Sequence, residues 1–173
     1  MTARPPDIRR ESNSAAFAIA KRFLEARVDR EVVTAMDDDK IRDILKRYKR
    51  VAVVGMSKDP LKDANRIPLY LRKEGYEVIP VNPTATEIAG MKAYPSLSAV
   101  PFDFDIVDIF RPSDAVPPIV DEAIKTKAKV IWMQLGISNE KAAEKARAAG
   151  KIVIQNRCMM VEHIRLMKGE KET

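Results

Sequence analysis

The feature of this sequence that most constrains its fold is a regular alternation of short apolar runs with amphipathic helical stretches. The apolar runs are Val51–Val54, Glu77–Val81, Phe104–Phe110, Val130–Met133 and Ile152–Ile154. Strands separated by helices need crossover connections, which give a parallel sheet with helices on both faces. We therefore predict an α/β fold with a doubly wound parallel sheet of about five strands.

The stretches between and after these runs are predicted to be helices. Residues Asp63–Glu74 have helical periodicity, and Pro68 is tolerated there only if the helix begins close to it. Ser113 and Ser138 are expected to cap the next two helices, because a serine side chain can accept a backbone hydrogen bond at a helix start. Residues Met159–Met167 form the predicted closing helix.

We divide the chain into an N-terminal helical extension over residues 1–50, a domain over residues 51–167 and a tail over residues 168–173. Within the extension, Ala15–Ala26 and Asp38–Tyr48 are predicted to be helical. An apolar set on the first of these helices could dock on the sheet or mediate a homo-oligomer or partner-protein contact, and both remain open. This set is Ala15, Phe17, Ala18, Phe23 and Leu24.

Charge and cysteine usage limit the partners and the compartment. The net charge of +6 comes mostly from residues 1–50, and the charges alternate in sign, which argues against nucleic acid as a partner. No apolar run approaches the ~18 residues of a membrane span, and the N-terminus lacks an apolar signal segment. Cys158 is the only cysteine, so no intramolecular disulfide can form. We expect a cytoplasmic protein that does not bind membranes.

Polar residues follow each predicted strand, at the edge of the sheet where doubly wound folds bind ligands. Their glycine, amide, hydroxyl and guanidinium groups suit phosphate and sugar oxygens. They are Gly55-Met56-Ser57-Lys58, Asn82-Pro83, Arg111-Pro112, Gln134-Leu135-Gly136 and Asn156-Arg157-Cys158. Gly55 allows the backbone to approach a pyrophosphate, and Lys58, Lys62 and Arg66 add cations. The alternative is that Gly55 only makes a turn and the cations are solvated.

Two known phosphate-binding patterns are missing. Only Gly55 remains of the G-x-G-x-x-G dinucleotide fingerprint, and Asn82 stands where an acid would bind a ribose hydroxyl. The G-x-x-x-x-G-K-[ST] pattern of nucleoside triphosphatases is absent as well. A pyrophosphate-containing ligand that is not a nicotinamide dinucleotide fits better, and coenzyme A is such a ligand.

Six segments in this order carry a resemblance to a known family. They are VAVVGMSKDPLKDANR, GYEVIPVNP, GMKAYPSLSAVP, DIVDIFRPSDAVPPIVDEAI, IWMQLGI and VIQNRCMMVEH. The chain resembles small stand-alone CoA-binding proteins related to the N-terminal CoA-binding domain of the succinyl-CoA synthetase α subunit. The resemblance implies a Rossmann-like domain over residues 51–167 that binds coenzyme A or an acyl-CoA, and it leaves the N-terminal extension largely outside.

The resemblance also implies roles for the strand-end residues. The pyrophosphate would lie near Gly55, Met56, Ser57 and Lys58, with Lys62 and Arg66 facing phosphates. The adenosine would be bordered by Asn82, Pro83, Phe110, Arg111 and Pro112, and the pantetheine would follow Gln134, Leu135 and Gly136. Lys62 and Ala64 depart from the arginine and serine frequent in the family, which replaces a fork-shaped donor with a point charge at residue 62.

No group of residues reaches the level of a catalytic or metal site. The synthetase reacts through a histidine in a later domain, and His163 has no counterpart role. On a helix, His163 points away from Cys158. Cys158 could form a mixed disulfide with the CoA thiol or accept an acyl group, but buried packing is the commoner fate of a free cysteine. We therefore expect non-catalytic binding of CoA or acyl-CoA. The alternatives are a component of an acyl-CoA ligase or transferase that requires a partner chain, and a CoA-responsive regulator.

Overall fold

The structure is a computed structural model that describes residues 38–169. The chain divides into two compact units, Met1–Ile41 and Arg42–Thr173. The helix predicted over Ala15–Ala26, with its apolar set, lies outside the described residues. Residues 38–47 form helix α1, which confirms the second predicted helix of the extension to within one residue at its end.

Within residues 38–169, seven strands form two sheets. The strands are β1 (Arg50–Val54), β2 (Glu77–Val81), β3 (Glu87–Ile88), β4 (Met91–Lys92), β5 (Ile106–Ile109), β6 (Val130–Met133) and β7 (Ile152–Ile154). The main sheet is parallel throughout, in the order β2-β1-β5-β6-β7. This confirms the predicted five-stranded parallel sheet. The order reverses between β1 and β5, so the topological switch point lies between these two strands.

Helices cover both faces of the main sheet. They are α2 (Asp63–Lys73), α3 (Val116–Ile124), α4 (Glu140–Ala148) and α5 (Met159–His163), and α5 continues as a π-helical turn over Ile164–Lys168. Helices α3 and α4 share a buried apolar cluster with alternate strand residues such as Val107 and Ile131. Trp132 and Asp108 point to the other face by alternation, where the indole Nε1 of Trp132 donates to the Arg157 carbonyl at 2.8 Å. No helix within residues 38–169 is long and apolar enough to span a membrane.

The two predicted serine caps are wrong. Ser113 lies in a 3₁₀ turn (Ser113–Ala115) before α3, and its hydroxyl accepts a hydrogen bond from the Ser138 amide at 3.1 Å. The N-cap of α4 is Asn139, whose side-chain oxygen accepts from the Ala142 amide at 3.0 Å. Ser113 and Ser138 thus join the two loops at the carboxyl edge of the sheet instead of capping helices.

A short hairpin, β3–β4, follows β2 and was not predicted. Its two-residue turn consists of Ala89 and Gly90, both with positive φ (50° and 76°). This is the geometry of a type I′ hairpin turn, in which alanine is uncommon. The hairpin leads into Tyr94, whose amide and carbonyl bond Pro80 and Asn82 and so attach the following segment to the end of β2.

Candidate functional site

A cleft of about 720 Å³ opens at the carboxyl ends of β1, β2 and β5, at the switch point of the sheet. Many of the residues expected at the ligand site line it. These are Gly55, Met56, Ser57, Lys58, Lys62, Asn82, Pro83, Phe110 and Arg111. The parallel arrangement brings them together because three strands that are distant in sequence end at one edge.

Other residues expected at the site lie outside this cleft. The Arg66 guanidinium pairs with the Asp63 carboxylate at 2.5 Å, at the exposed first turn of α2. Gln134 is buried, Leu135 is exposed at the end of β6, and the Gly136 amide donates to the Asn156 side chain at 2.7 Å. Pro112 directly precedes the 3₁₀ turn.

The cleft has further walls that the sequence did not indicate as ligand contacts. They come from the turn after β2, from the segment after β4 and from the face of α3. They are Thr84, Ala85, Pro95, Ser96, Leu97, Ile119 and Glu122. Pro95 to Leu97 belong to the segment GMKAYPSLSAVP, which is one of the six that carry the family resemblance. That resemblance was the one sequence signal that could have placed these residues at the ligand site.

The backbone conformation at position 55 and the close neighbours of that position both require glycine. Its φ is +86°, and a Cβ atom there would lie 2.9 Å from the Cδ of Arg111 and 3.1 Å from the Phe110 carbonyl oxygen. Its amide donates to the Val81 carbonyl at 2.9 Å. The loop after β1 therefore packs closely against the ends of β2 and β5, and any larger residue would push it away.

Helix α2 holds Ser57 by both of its backbone groups. The Ser57 amide donates to the Ala64 carbonyl at 3.1 Å, and the buried Asn65 side chain donates to the Ser57 carbonyl at 2.8 Å. The Ala64 carbonyl can accept because Pro68, four residues later, has no N–H. The Lys58 amide has no acceptor among residues 38–169, so it remains available as a donor at the cleft.

Asn82 connects the loops after β1 and β2. Its side-chain amide donates to the Met56 carbonyl at 2.9 Å, while its side-chain oxygen accepts from the amide and the hydroxyl of Thr84 at 2.9 and 3.0 Å. Because all of these side-chain bonds go to protein groups, Asn82 acts on the shape of the cleft by positioning its walls.

The cleft is lined by cations and by a carboxylate. Lys58, Lys62 and Arg111 line it, and none of them has an ion pair within the described part of the chain. Among residues 38–169, the single carboxylate in the lining belongs to Glu122, and its Oε1 accepts from the Ser98 amide at 2.7 Å. Unpaired cations and a free backbone amide make this cleft suited to an anion such as phosphate.

A buried carboxyl group lies outside the cleft, on the central strand. Asp108 is fully buried; its Oδ1 accepts from the Gln134 side chain at 2.7 Å, and its Oδ2 has no partner. Burial raises the pKa of Asp108 to about 7, and the Gln134 hydrogen bond opposes this only in part. Gln134 in turn accepts from the Met159 amide at 3.3 Å, so its side chain is used within the core.

Cys158 and His163 do not line the cleft. Cys158 is buried at the start of α5. The Nδ1 of His163 lies 2.9 Å from the Tyr70 hydroxyl, and burial lowers the pKa of His163. Within residues 38–169, no three histidine, cysteine, aspartate or glutamate side chains come together as a metal site.

One family model and several known proteins match this chain. A family model described as a CoA binding domain matches residues 49–164. The protein YneT of Bacillus subtilis is 41% identical over 123 residues, which cover 71% of this chain and 91% of YneT. A solved structure of a hypothetical protein from Pyrococcus horikoshii is 46% identical, with a TM-score of 0.74 over 75% of this chain and 92% of that one.

A further similarity is to a much longer protein. The ADP-forming acetate–CoA ligase II of Archaeoglobus fulgidus is 34% identical over 104 residues. The match covers 57% of this chain but only 16% of the ligase. The chain is thus similar to one part of that enzyme.

Proposed function

The chain belongs to the CoA-binding domain family, and we propose that it binds coenzyme A or an acyl-CoA in the cleft at the ends of β1, β2 and β5. In this proposal the diphosphate lies over the loop from Gly55 to Lys58. In this proposal the protein binds its ligand without a catalytic apparatus of its own.

The observation that carries this proposal is the group of unpaired cations in the cleft. Lys58, Lys62 and Arg111 line one cleft and have no carboxylate partner within the described residues. Clustered cations without partners repel one another, and an anionic ligand relieves that repulsion. Coenzyme A carries a diphosphate and a separate 3′-phosphate, which together match a group of cations spread over two loops.

The remaining strand-end residues take roles that follow the chain of the ligand. The adenosine would lie between the turn at Asn82 and Pro83 and the turn at Phe110 to Pro112. The pantetheine would pass Leu135, which is 69% exposed at the end of β6, and the backbone at Gly136. Gln134 would shape this path without bonding the ligand, since its side chain is bonded within the core and its backbone amide and carbonyl bond Ile109 and Ile137. Arg66 would make no direct contact with the ligand, because it pairs with Asp63 outside the cleft.

Mass spectrometry of the small molecules released on denaturing the purified protein tests this proposal. We expect CoA or acyl-CoA from wild type, or from wild type incubated with CoA, and its loss from the Lys58→Ala, Arg111→Ala double variant. Arg66→Ala is the matched control, because it also removes a nearby cation but lies outside the cleft. A nicotinamide cofactor in the wild-type sample would contradict the proposal.

A second candidate function rests on the similarity to the acetate–CoA ligase. In that case the chain would serve as the CoA-binding component of an acyl-CoA ligase or transferase and would need a partner chain for the chemistry. Incubation with ATP, acetate and CoA, with and without a lysate of the source cells, distinguishes the two. Thioester that depends on this chain would favour the ligase component over a free-standing binding protein.

A further inference from the structure

Glu122 brings a negative charge into a cleft that otherwise gathers cations. It lies on α3, one helical turn after Ile119, and both side chains line the cleft. The Ser98 amide donates to its Oε1 at 2.7 Å, which holds the carboxylate in place. Its Oε2 has no donor among residues 38–169 and can accept a hydrogen bond from a ligand.

Glu122 and the cations lie on different walls of the cleft. Glu122 belongs to α3, whereas the cations belong to the loops after β1 and β5, at the carboxyl edge of the sheet. A second cavity of about 390 Å³ adjoins the cleft and shares Leu97 and Glu122 with it. Lys125 and Lys127 are among the residues that line this second cavity, but neither lines the cleft. Within the described residues, the cleft thus has its cations on the loops and its carboxylate on α3.

The carboxylate limits which part of CoA can bond to it. A carboxylate only accepts hydrogen bonds and repels phosphate, so the CoA group bonded to Glu122 must be a neutral donor. Four apolar residues also line the cleft, namely Leu97, Ile119, Ala85 and Pro95. A purine base has apolar faces and a polar edge and fits such walls.

We propose that Glu122 is a specificity-determining residue whose Oε2 accepts a hydrogen bond from the exocyclic 6-amino group of an adenine base. This inference rests on the proposed function, since it requires the diphosphate to lie at the loop after β1. Glu122 then fixes the direction of the ligand, with the phosphates at the cationic loops and the base at α3. It selects adenine over hypoxanthine and guanine, which carry an acceptor oxygen at the same ring position.

The test compares ADP with IDP, two diphosphates that differ in the group at this ring position. Calorimetric titration of wild type is expected to give affinity for ADP about tenfold or more above that for IDP, as lost hydrogen bonds to charged groups imply. Glu122→Gln keeps an oxygen for the Ser98 amide but turns an N–H₂ donor toward the ligand. This variant should lose the preference for ADP or favour IDP.

The control variant is Glu144→Gln, the same change at an exposed position of α4, which should keep the wild-type preference. An ADP-to-IDP ratio unchanged by Glu122→Gln, while CoA still binds, would overturn the inference and leave the proposed function standing. If Glu122→Gln instead loses a wild-type preference for ADP over 2′-deoxy-ADP, Glu122 contacts the ribose. That result would overturn the inference as well. If wild type binds neither CoA nor either diphosphate, the proposed function fails together with the inference.

Discussion

The Ser57 amide donates to the Ala64 carbonyl at 3.1 Å, so the loop after β1 is bonded to the first turn of the helix that follows it. In a regular helix that carbonyl would accept from the residue four positions later, which here is Pro68. The proline lacks an N–H, and the Ser57 amide takes its place as donor. A residue unfavourable to the helix thus holds the loop in the shape that we propose receives a diphosphate.

Pro68→Ala is expected to weaken CoA binding several-fold without destabilising the protein. The new amide competes with Ser57 for the Ala64 carbonyl and loosens the loop. The substitution stabilises the helix by up to ~3 kcal/mol through helix propensity. The lost burial of the proline ring and the greater freedom of the unfolded chain roughly offset this gain in stability. Chemical denaturation and CoA titration measure the two effects.

Pro117→Ala is the control for that change. Pro117 stands in the first turn of α3, where a missing N–H has no helical partner to lose. Both stability and CoA affinity should stay near the wild-type values. A Pro68→Ala variant that binds CoA as tightly as wild type would show that the proline has no part in shaping the loop.

Gly55→Ala is expected to lower the free energy of unfolding by more than Gly150→Ala does. Both glycines have positive φ (86° and 84°), so each substitution carries a backbone cost of ~1–2 kcal/mol. Only at Gly55 does the added Cβ meet close neighbours, the Arg111 side chain and the Phe110 carbonyl, whereas nothing lies within 4 Å at Gly150. Equal losses in urea denaturation would mean that the close packing has no energetic weight.

Asp108 is expected to make stability fall as pH rises. Burial raises the pKa of Asp108 from 3.8 to about 7. The folded protein therefore keeps a proton that the unfolded chain has lost between these values. The stabilisation is fully present below pH ~4, declines up to pH ~7 and then stays constant, with a total of roughly 2–4 kcal/mol.

Asp108→Asn tests this dependence because it keeps a neutral side chain of similar shape at every pH. Relative to wild type, the variant should gain stability between pH 5 and pH 8, measured by guanidinium denaturation. Asp114→Asn, at an exposed site in the 3₁₀ turn, serves as the control. If the difference in unfolding free energy between Asp108→Asn and wild type is the same at pH 5 and at pH 8, the assignment of this pH dependence to Asp108 is contradicted.

The sheet could be predicted from the sequence because its strands are buried on both faces. Runs such as Val130–Met133 have no polar alternation, and three of the five strands have the predicted bounds. The β3–β4 hairpin could not be predicted, since each strand has two residues and its turn places Ala89 at φ 50°. The cap of α4 was displaced by one residue because Ser138 and Asn139 are both suitable and only the tertiary contact of Ser113 decides between them.

The site was predictable to the extent that it follows from strand ends. Gly55, Asn82 and Arg111 meet at the cleft because their strands are neighbours. The partner of each side chain was not predictable from spacing. Arg66 pairs with Asp63, and Gln134 bonds to Asp108, a residue on a neighbouring strand. Glu122 could not be predicted as a ligand contact, because a single acidic residue on a helix forms no recognisable sequence motif.

The most direct test of CoA binding in this cleft is calorimetric titration of CoA into wild type and the Arg111→Ala variant, with Arg66→Ala as the control. The account predicts saturable binding to wild type, affinity about tenfold or more lower in Arg111→Ala, and little change in Arg66→Ala. The absence of binding to wild type, or equal affinity for wild type and Arg111→Ala, would contradict it.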